Sequence, residues 1–292
     1  MAIVKYGEKL TFIDDDGRTA VFHAGTASPF WWNDADGLDG LSANIYTVKG
    51  AGQDGETDIG ANLAMRTVTV EGQIRSQSQT YSRRVLLNAV RPAATGKLVY
   101  EFDGLTRYIR CRVKQAPEFS NTRVEKFQIV FSCANPFWRL GSGPKQVKDI
   151  ALWIPALAFP VAIPEEGMVF EYRSPSLIVN IANNGDVPVG MLVEFRATGS
   201  TANPYLINVG TQEQLLVNRD MEPGDVIRVW TGYGEKRVEL TRSGVVTNIF
   251  NDLDLDSVFL QLSVRDNLLR YGADVIDNLE ATIYYDIAYV GV

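Results

Sequence analysis

The stretch Gly50-Ala51-Gly52-Gln53-Asp54-Gly55 has the G-x-G-x-x-G spacing. It follows the strand-like Ile45 to Val48 and precedes Glu71. In dinucleotide-binding proteins such glycines open a helix whose N-terminus holds a pyrophosphate. Here Ile59-Gly60-Ala61-Asn62 leads instead into the β-branched run at Thr67. Without a helix there is no anion site, so the residues predict a mobile glycine-rich loop.

Other reactive groups are few. Asp252, Asp254 and Asp256 alternate as calcium ligands do, but loop positions six and twelve hold Ser257 and Ser263, where a calcium loop needs Gly and Glu. They predict a solvated acidic turn. The single histidine, His23, lies in the strand-like Thr19 to Ala24 with no nucleophile near it in sequence. Cys111 and Cys133 fall in predicted strands and read as small core residues. Carboxylate pairs of the glycosidase type are numerically available among 35 acidic residues, yet sequence fixes no distance between them. The expectation is a protein that is not an enzyme, with no catalytic residue, metal or cofactor.

What remains must be carried by shape. At 292 residues the chain is long enough for two domains, and 46% hydrophobic with 22% charged residues excludes disordered, collagen-like and coiled-coil classes. The opening Met1 to Phe22 mixes apolar and charged residues, unlike a signal peptide. The longest apolar stretch, Ile150 to Ile163, contains Pro155 and Pro160 and is too short to span a bilayer. The chain is therefore expected to fold in a reducing cytoplasm with free thiols and no membrane insertion.

Period two dominates. Thr67 to Ile74 alternates, and Lys97 to Phe102 runs through Asp103-Gly104 into Leu105 to Val113, a hairpin signal. Glu125 to Cys133 predicts a further strand. One helix is predicted, capped by Ser82, with Val85, Leu86, Ala89 and Val90 as its buried stripe and Pro92 ending it. Gly141-Ser142-Gly143-Pro144 is linker-like. From Met168 onward, short strands separated by turns predict a sandwich or jelly roll, with a helical turn or two between Asp266 and Glu280 and a last strand from Ala281 to Val290. The fold class is mainly β: residues 1–145 form an N-terminal β-sandwich module with one helix, and residues 146–292 a second β-sandwich.

Charge is unevenly spread. Residues 1–60 carry 4 basic and 10 acidic side chains, residues 61–145 carry 14 and 5, and residues 146–292 carry 10 and 20. The basic region has no nucleic-acid motif, so specific nucleic-acid binding is not expected. Opposite signs in neighbouring regions suit contacts between subunits. Candidate contact residues are Trp31 and Trp32, in an aromatic run read as a loop that anchors an interface if exposed and caps a core if folded inward, and Arg83 and Arg84 at the helix start. Trp230 and Tyr233 offer a candidate glycan-stacking platform, although Trp230 reads more readily as strand core.

Gly52-Gln53-Asp54-Gly55 followed by Arg66 to Ile74, then the helix, Gly96-Lys97-Leu98 and the hairpin, resembles the N-terminal module of distal tail proteins of long, non-contractile-tailed phages. Phe131-Ser132-Cys133-Ala134-Asn135-Pro136-Phe137-Trp138 resembles the signature closing that module. Asn183-Asn184-Gly185-Asp186-Val187-Pro188 and the ending Ile283 to Val292 resemble the family's C-terminal galectin-like sandwich. The resemblance implies a hexameric ring between the tail tube protein and tail-tip hub, fibre or receptor-binding proteins, located at the virion tail tip. It leaves no room for the large inserted sugar-binding module of many relatives. A carbohydrate-binding protein recognising host glycans is the competing expectation, and a tail-tip hydrolase the third.

Overall fold

The computed structural model describes residues 2–120, 125–141, 146–149, 152–155, 171–174 and 178–292. The linker residues 142–145 and most of the proline-broken apolar stretch lie outside them. The chain divides into two compact units, Met1–Pro144 with Ala288–Val292, and Lys145–Ile287. The expected second domain, 146–292, therefore gives up its last five residues to the first unit.

In the first unit the alternating strands close into a barrel rather than splitting into a sandwich. Their order is Lys126–Cys133, Arg66–Ile74, Phe30–Asp36, Thr19–His23, Lys9–Asp14, Thr95–Phe102, Leu105–Phe119, and the last pairs back to the first. Closure removes both free edges. It is made possible by the long Leu105–Phe119 strand and by register shifts between Gln128 and Phe131, where bulges bend the pair. All pairings in the ring are antiparallel except Thr19–His23 with Phe30–Asp36. Asp103 and Gly104 both adopt positive φ, 49° and 77°, as the predicted tight hairpin requires.

Barrel strands bury alternate residues, and the core they enclose is aromatic. Phe12 meets Phe131 at 5.1 Å, Phe22 meets Phe127 at 5.7 Å, and Trp32 meets Tyr100 edge-on at 6.4 Å. The helix spans Gln79–Ala89 and adds Leu86 and Ala89 to that core. Its start corrects the predicted cap. Ser78 occupies the cap position without a side-chain bond, and Ser82 is a buried interior residue. Val85, expected in the buried stripe, is 37% exposed.

The second unit packs a six-stranded against a four-stranded antiparallel sheet. The larger includes Leu279–Tyr285, Met191–Ala197 and Val226–Trp230; the smaller includes Val179–Asn183, Arg265–Gly272 and Tyr205–Asn208. Phe195, Val193, Ile227, Val229, Leu269, Tyr271 and Ile283 are buried in its core. The helical turns expected in Asp266 to Glu280 are instead a strand, Arg265–Gly272, and one 3-10 turn, Ile276–Asn278. Buried Asn183 explains the Asn-Asn-Gly-Asp motif. Its amide donates to the carbonyls of Val187 and Leu262, while its oxygen accepts from the Gly185 amide.

Candidate functional site

The glycine-rich segment is the tip of a hairpin arm. Among the described residues, strands Ala43–Val48 and Thr57–Leu63 pair only with each other, and every residue in them is exposed. Ala43 pairs with Leu63 and Ile45 with Ala61, which puts four apolar side chains on one face. Asn44, Tyr46 and Asn62 occupy the other, where Asn62 Oδ1 accepts from Asn44 Nδ2 and Tyr46 Oη, each at 3.2 Å. Ile45, Ile59 and Leu63 are 68%, 64% and 46% exposed. A two-stranded hairpin is marginal on its own in water. Taking a fully exposed aliphatic side chain of this size to full burial contributes about 1.5–3 kcal/mol, and these three retain roughly half to two thirds of that exposure; an exposed ion pair contributes about 0.2–1 kcal/mol.

Its root is fixed by Arg66, the first residue of the strand after the arm. The side chain is buried, and its guanidinium donates to four backbone carbonyls: Pro136 at 2.7 Å, Asp39 at 3.2 Å, Gly37 and Val290. Burial pulls its pKa below the ordinary arginine value, opposed by nearby Cys133 and Asp39. Gly37, with φ of 81°, lies so close to the Thr67 carbonyl that any Cβ would collide with it. Trp138, fully buried, donates from Nε1 to the Leu38 carbonyl at 3.0 Å. The Asn135-Pro136-Phe137-Trp138 signature thus closes around the arm root. Ala288 and Tyr289 pair with Arg139 and Trp138, and Arg107 stacks on Tyr289 at 3.8 Å while donating to the Gly291 carbonyl.

The expected contact residues separate. Trp31 and Trp32 sit on strand Phe30–Asp36, not in a loop. Trp32 is 1% exposed, with Nε1 donating to the Asp34 carbonyl, so burial removes it from any surface. Trp31 is half-buried under the Arg75 guanidinium, 3.7 Å from its ring centre. Arg83 is tied to Glu125 at 3.0 Å and lies over Phe119, whereas Arg84 is exposed. In the second unit Arg237 covers a face of half-buried Trp230 at 3.9 Å, and Tyr233 stands 83% exposed beside Lys236.

Charges of opposite sign also meet inside the subunit. Arg91 bridges Asp14 and Asp16, and Arg110 pairs with Asp15. Part of the acidic N-terminal segment is therefore neutralised by its own chain. Asp252 pairs with Arg219, and Asp254 accepts from the Asp256 amide, which makes that acidic run a closed turn. His23 ends a barrel strand. Among the described residues no group of three or more His, Cys, Asp or Glu side chains is arranged to hold a metal ion, and no helix is long and apolar enough to cross a membrane.

Arg66 and the returning segment Ala288–Val292 are what sequence reading missed. The only available signal was the position of Arg66 at the head of a strand in which burial alternates.

Comparison with known proteins gives two family matches. Residues 28–133 match the phage tail protein RIFT-related domain, and residues 184–289 the siphovirus-type tail component, C-terminal domain. The crystal structure of SPP1 Dit, described as a paradigm of hub adsorption apparatus in Gram-positive infecting phages, is similar in fold. It has a TM-score of 0.66 and 15% identity over 96% of this chain and 98% of that one. The baseplate of phage p2 in its activated conformation with Sr also matches, at a TM-score of 0.49 and 10% identity over 96% and 97%. No curated protein matches the chain. Five of the seven barrel strands fall under the first family match, Lys9–Asp14 and Thr19–His23 preceding it, and most of the sandwich falls under the second; the chain belongs to the distal tail proteins of siphovirus-type phages.

Proposed function

We propose that the chain forms a closed hexameric ring joining the tail tube to the tail-tip complex. Its neighbours are the tail tube protein on one side and tip hub, fibre or receptor-binding proteins on the other. It is assembled in the host cytoplasm and works as a structural part rather than an enzyme. The observation that carries this reading is the arm, whose apolar face is exposed and meets no partner among the described residues of its own subunit. A ring made by one repeated contact needs two different complementary patches on each copy, and a projecting arm supplies one of them. The barrel, closed on itself by the pairing of Leu105–Phe119 with Lys126–Cys133 and filled with aromatic side chains, is a base for such a contact. The likeness in fold to a hub protein points the same way.

Electron microscopy of the purified full-length protein tests this. The expected image is a closed ring of six copies with a central channel. Single particles of one subunit, or open filaments, overturn the proposal.

A further inference from the structure

The ring requires a landing surface for the arm, and the helix Gln79–Ala89 has the matching properties. It is the one α-helix among the described residues, and it keeps an apolar ridge outside: Tyr81 is 69% and Val85 37% exposed, four residues apart and hence on one face. The helix contains Arg83 and Arg84 and no acidic residue. The arm and its tip, residues 43–65, hold Asp54, Glu56 and Asp58 against a single cation, Lys49. One surface is apolar and acidic, the other apolar and basic.

We infer that the arm of one subunit lies across this helix ridge on a second copy of the same chain. The apolar face with Ile45 and Leu63 covers Tyr81 and Val85, and the acidic tip side meets Arg84. This rests on the ring reading and adds to it the partner surface. Arg83 is held by Glu125 and Phe119 within its own subunit, so Arg84 supplies the attraction between copies. Such charge pairs act mainly on encounter rate and register, while the apolar ridge holds the contact.

The test is disulfide trapping in the full chain. Ile45→Cys with Val85→Cys places one thiol on each surface, both at exposed positions where folding is undisturbed; Cys111 and Cys133 are buried and do not compete. Oxidation is expected to convert most of the protein into a covalent ladder of two to six chains on a non-reducing gel, and either single variant to yield none above a dimer. In parallel, Glu56→Lys with Asp58→Lys should slow assembly about tenfold, and adding Arg84→Glu should restore most of that loss. If wild type forms the ring but the paired thiols give no ladder, the helix is not the landing surface and only the ring reading stands. A cross-link within one chain, or an arm that stays protease-sensitive inside the ring, overturns the inference in favour of an intramolecular contact or another tail protein. Wild type that remains monomeric overturns both.

Discussion

Arg66 and Val290, 224 residues apart, are joined by a hydrogen bond from the guanidinium to the backbone carbonyl. The same guanidinium holds Gly37, Asp39 and Pro136. One buried cation thus ties together the segment entering the arm, the strand leaving it, the Asn-Pro-Phe-Trp signature and the returning segment Ala288–Val292. It has no carboxylate partner among those acceptors; its charge is spread over carbonyl dipoles.

Removing that cation should loosen all four segments at once. Arg66→Met leaves buried carbonyls without donors and is expected to cost about 3 kcal/mol, since hydrogen bonds to charged groups are the costly ones to lose. Chemical denaturation measures the loss. Hydrogen exchange should show faster exchange at 37–42 and 288–292 before the barrel strands respond. Uniform exchange across the unit would contradict the clasp.

The two adjacent tryptophans should behave differently. Trp32→Ala empties a core position and is expected to destabilise by about 3–5 kcal/mol, while Trp31→Ala, half-exposed on the barrel wall, should cost far less. Thermal unfolding of the two variants separates them. Equal losses would mean that Trp32 is not the core residue its burial indicates.

Acid should weaken the second unit through Asp225, which is buried and bonded to Arg242 at 2.5 Å. Burial raises this carboxyl, but the hydrogen bonds from Arg242 and the Glu222 amide outweigh it and hold the pKa below its ordinary value of 3.8. A depressed folded-state pKa gives stability that is fully present above the unfolded value and lost as pH falls through the folded one. Asp225→Asn is therefore expected to be clearly destabilising at pH 7, with the difference shrinking progressively as pH falls below the ordinary carboxylate value of 3.8. A constant difference across that range would contradict this.

The thiols should be silent. Cys111 and Cys133 are buried, and burial raises both pKa values, that of Cys133 to about 12. A thiol-specific reagent at pH 8 should label neither in the native protein and both after denaturation. Rapid native labelling would show that the barrel opens.

Much of this architecture is legible in sequence, because half-buried strands leave a period-two imprint. Thr67 to Ile74, the Asp103-Gly104 hairpin and Lys126–Cys133 all carry it. The arm does not, since a strand exposed on both faces has no reason to alternate. Asp266-Asn267-Leu268-Leu269 mimics a helical stripe, whereas the pleat buries Asn267, Leu269 and Tyr271 and turns Leu268 outward. Pro29 and Asp34 made Trp31-Trp32 resemble a loop until barrel closure drew Trp32 inside. The regional charges were countable, but that Asp14, Asp15 and Asp16 meet Arg91 and Arg110 of their own chain depends on strand pairing that counting does not reveal.

Those internal ion pairs also shift the expected salt response. With part of the opposite charge satisfied within each subunit and an apolar arm holding the contact, 1 M salt, where the Debye length is about 3 Å, should slow assembly without dissolving the ring. Light scattering during refolding at low and high salt follows both quantities. A ring that falls apart in high salt would mean that charge, not the arm, holds it.

The most direct measurement of the central claim is the native mass of the full-length protein in solution. With a chain mass of 32.3 kDa, the predicted result is one species at six times that value, lost when Ile45 and Leu63 are both replaced by aspartate while the subunit stays folded. A wild-type species at the mass of one chain across the micromolar range, or a ring indifferent to those two substitutions, would contradict it.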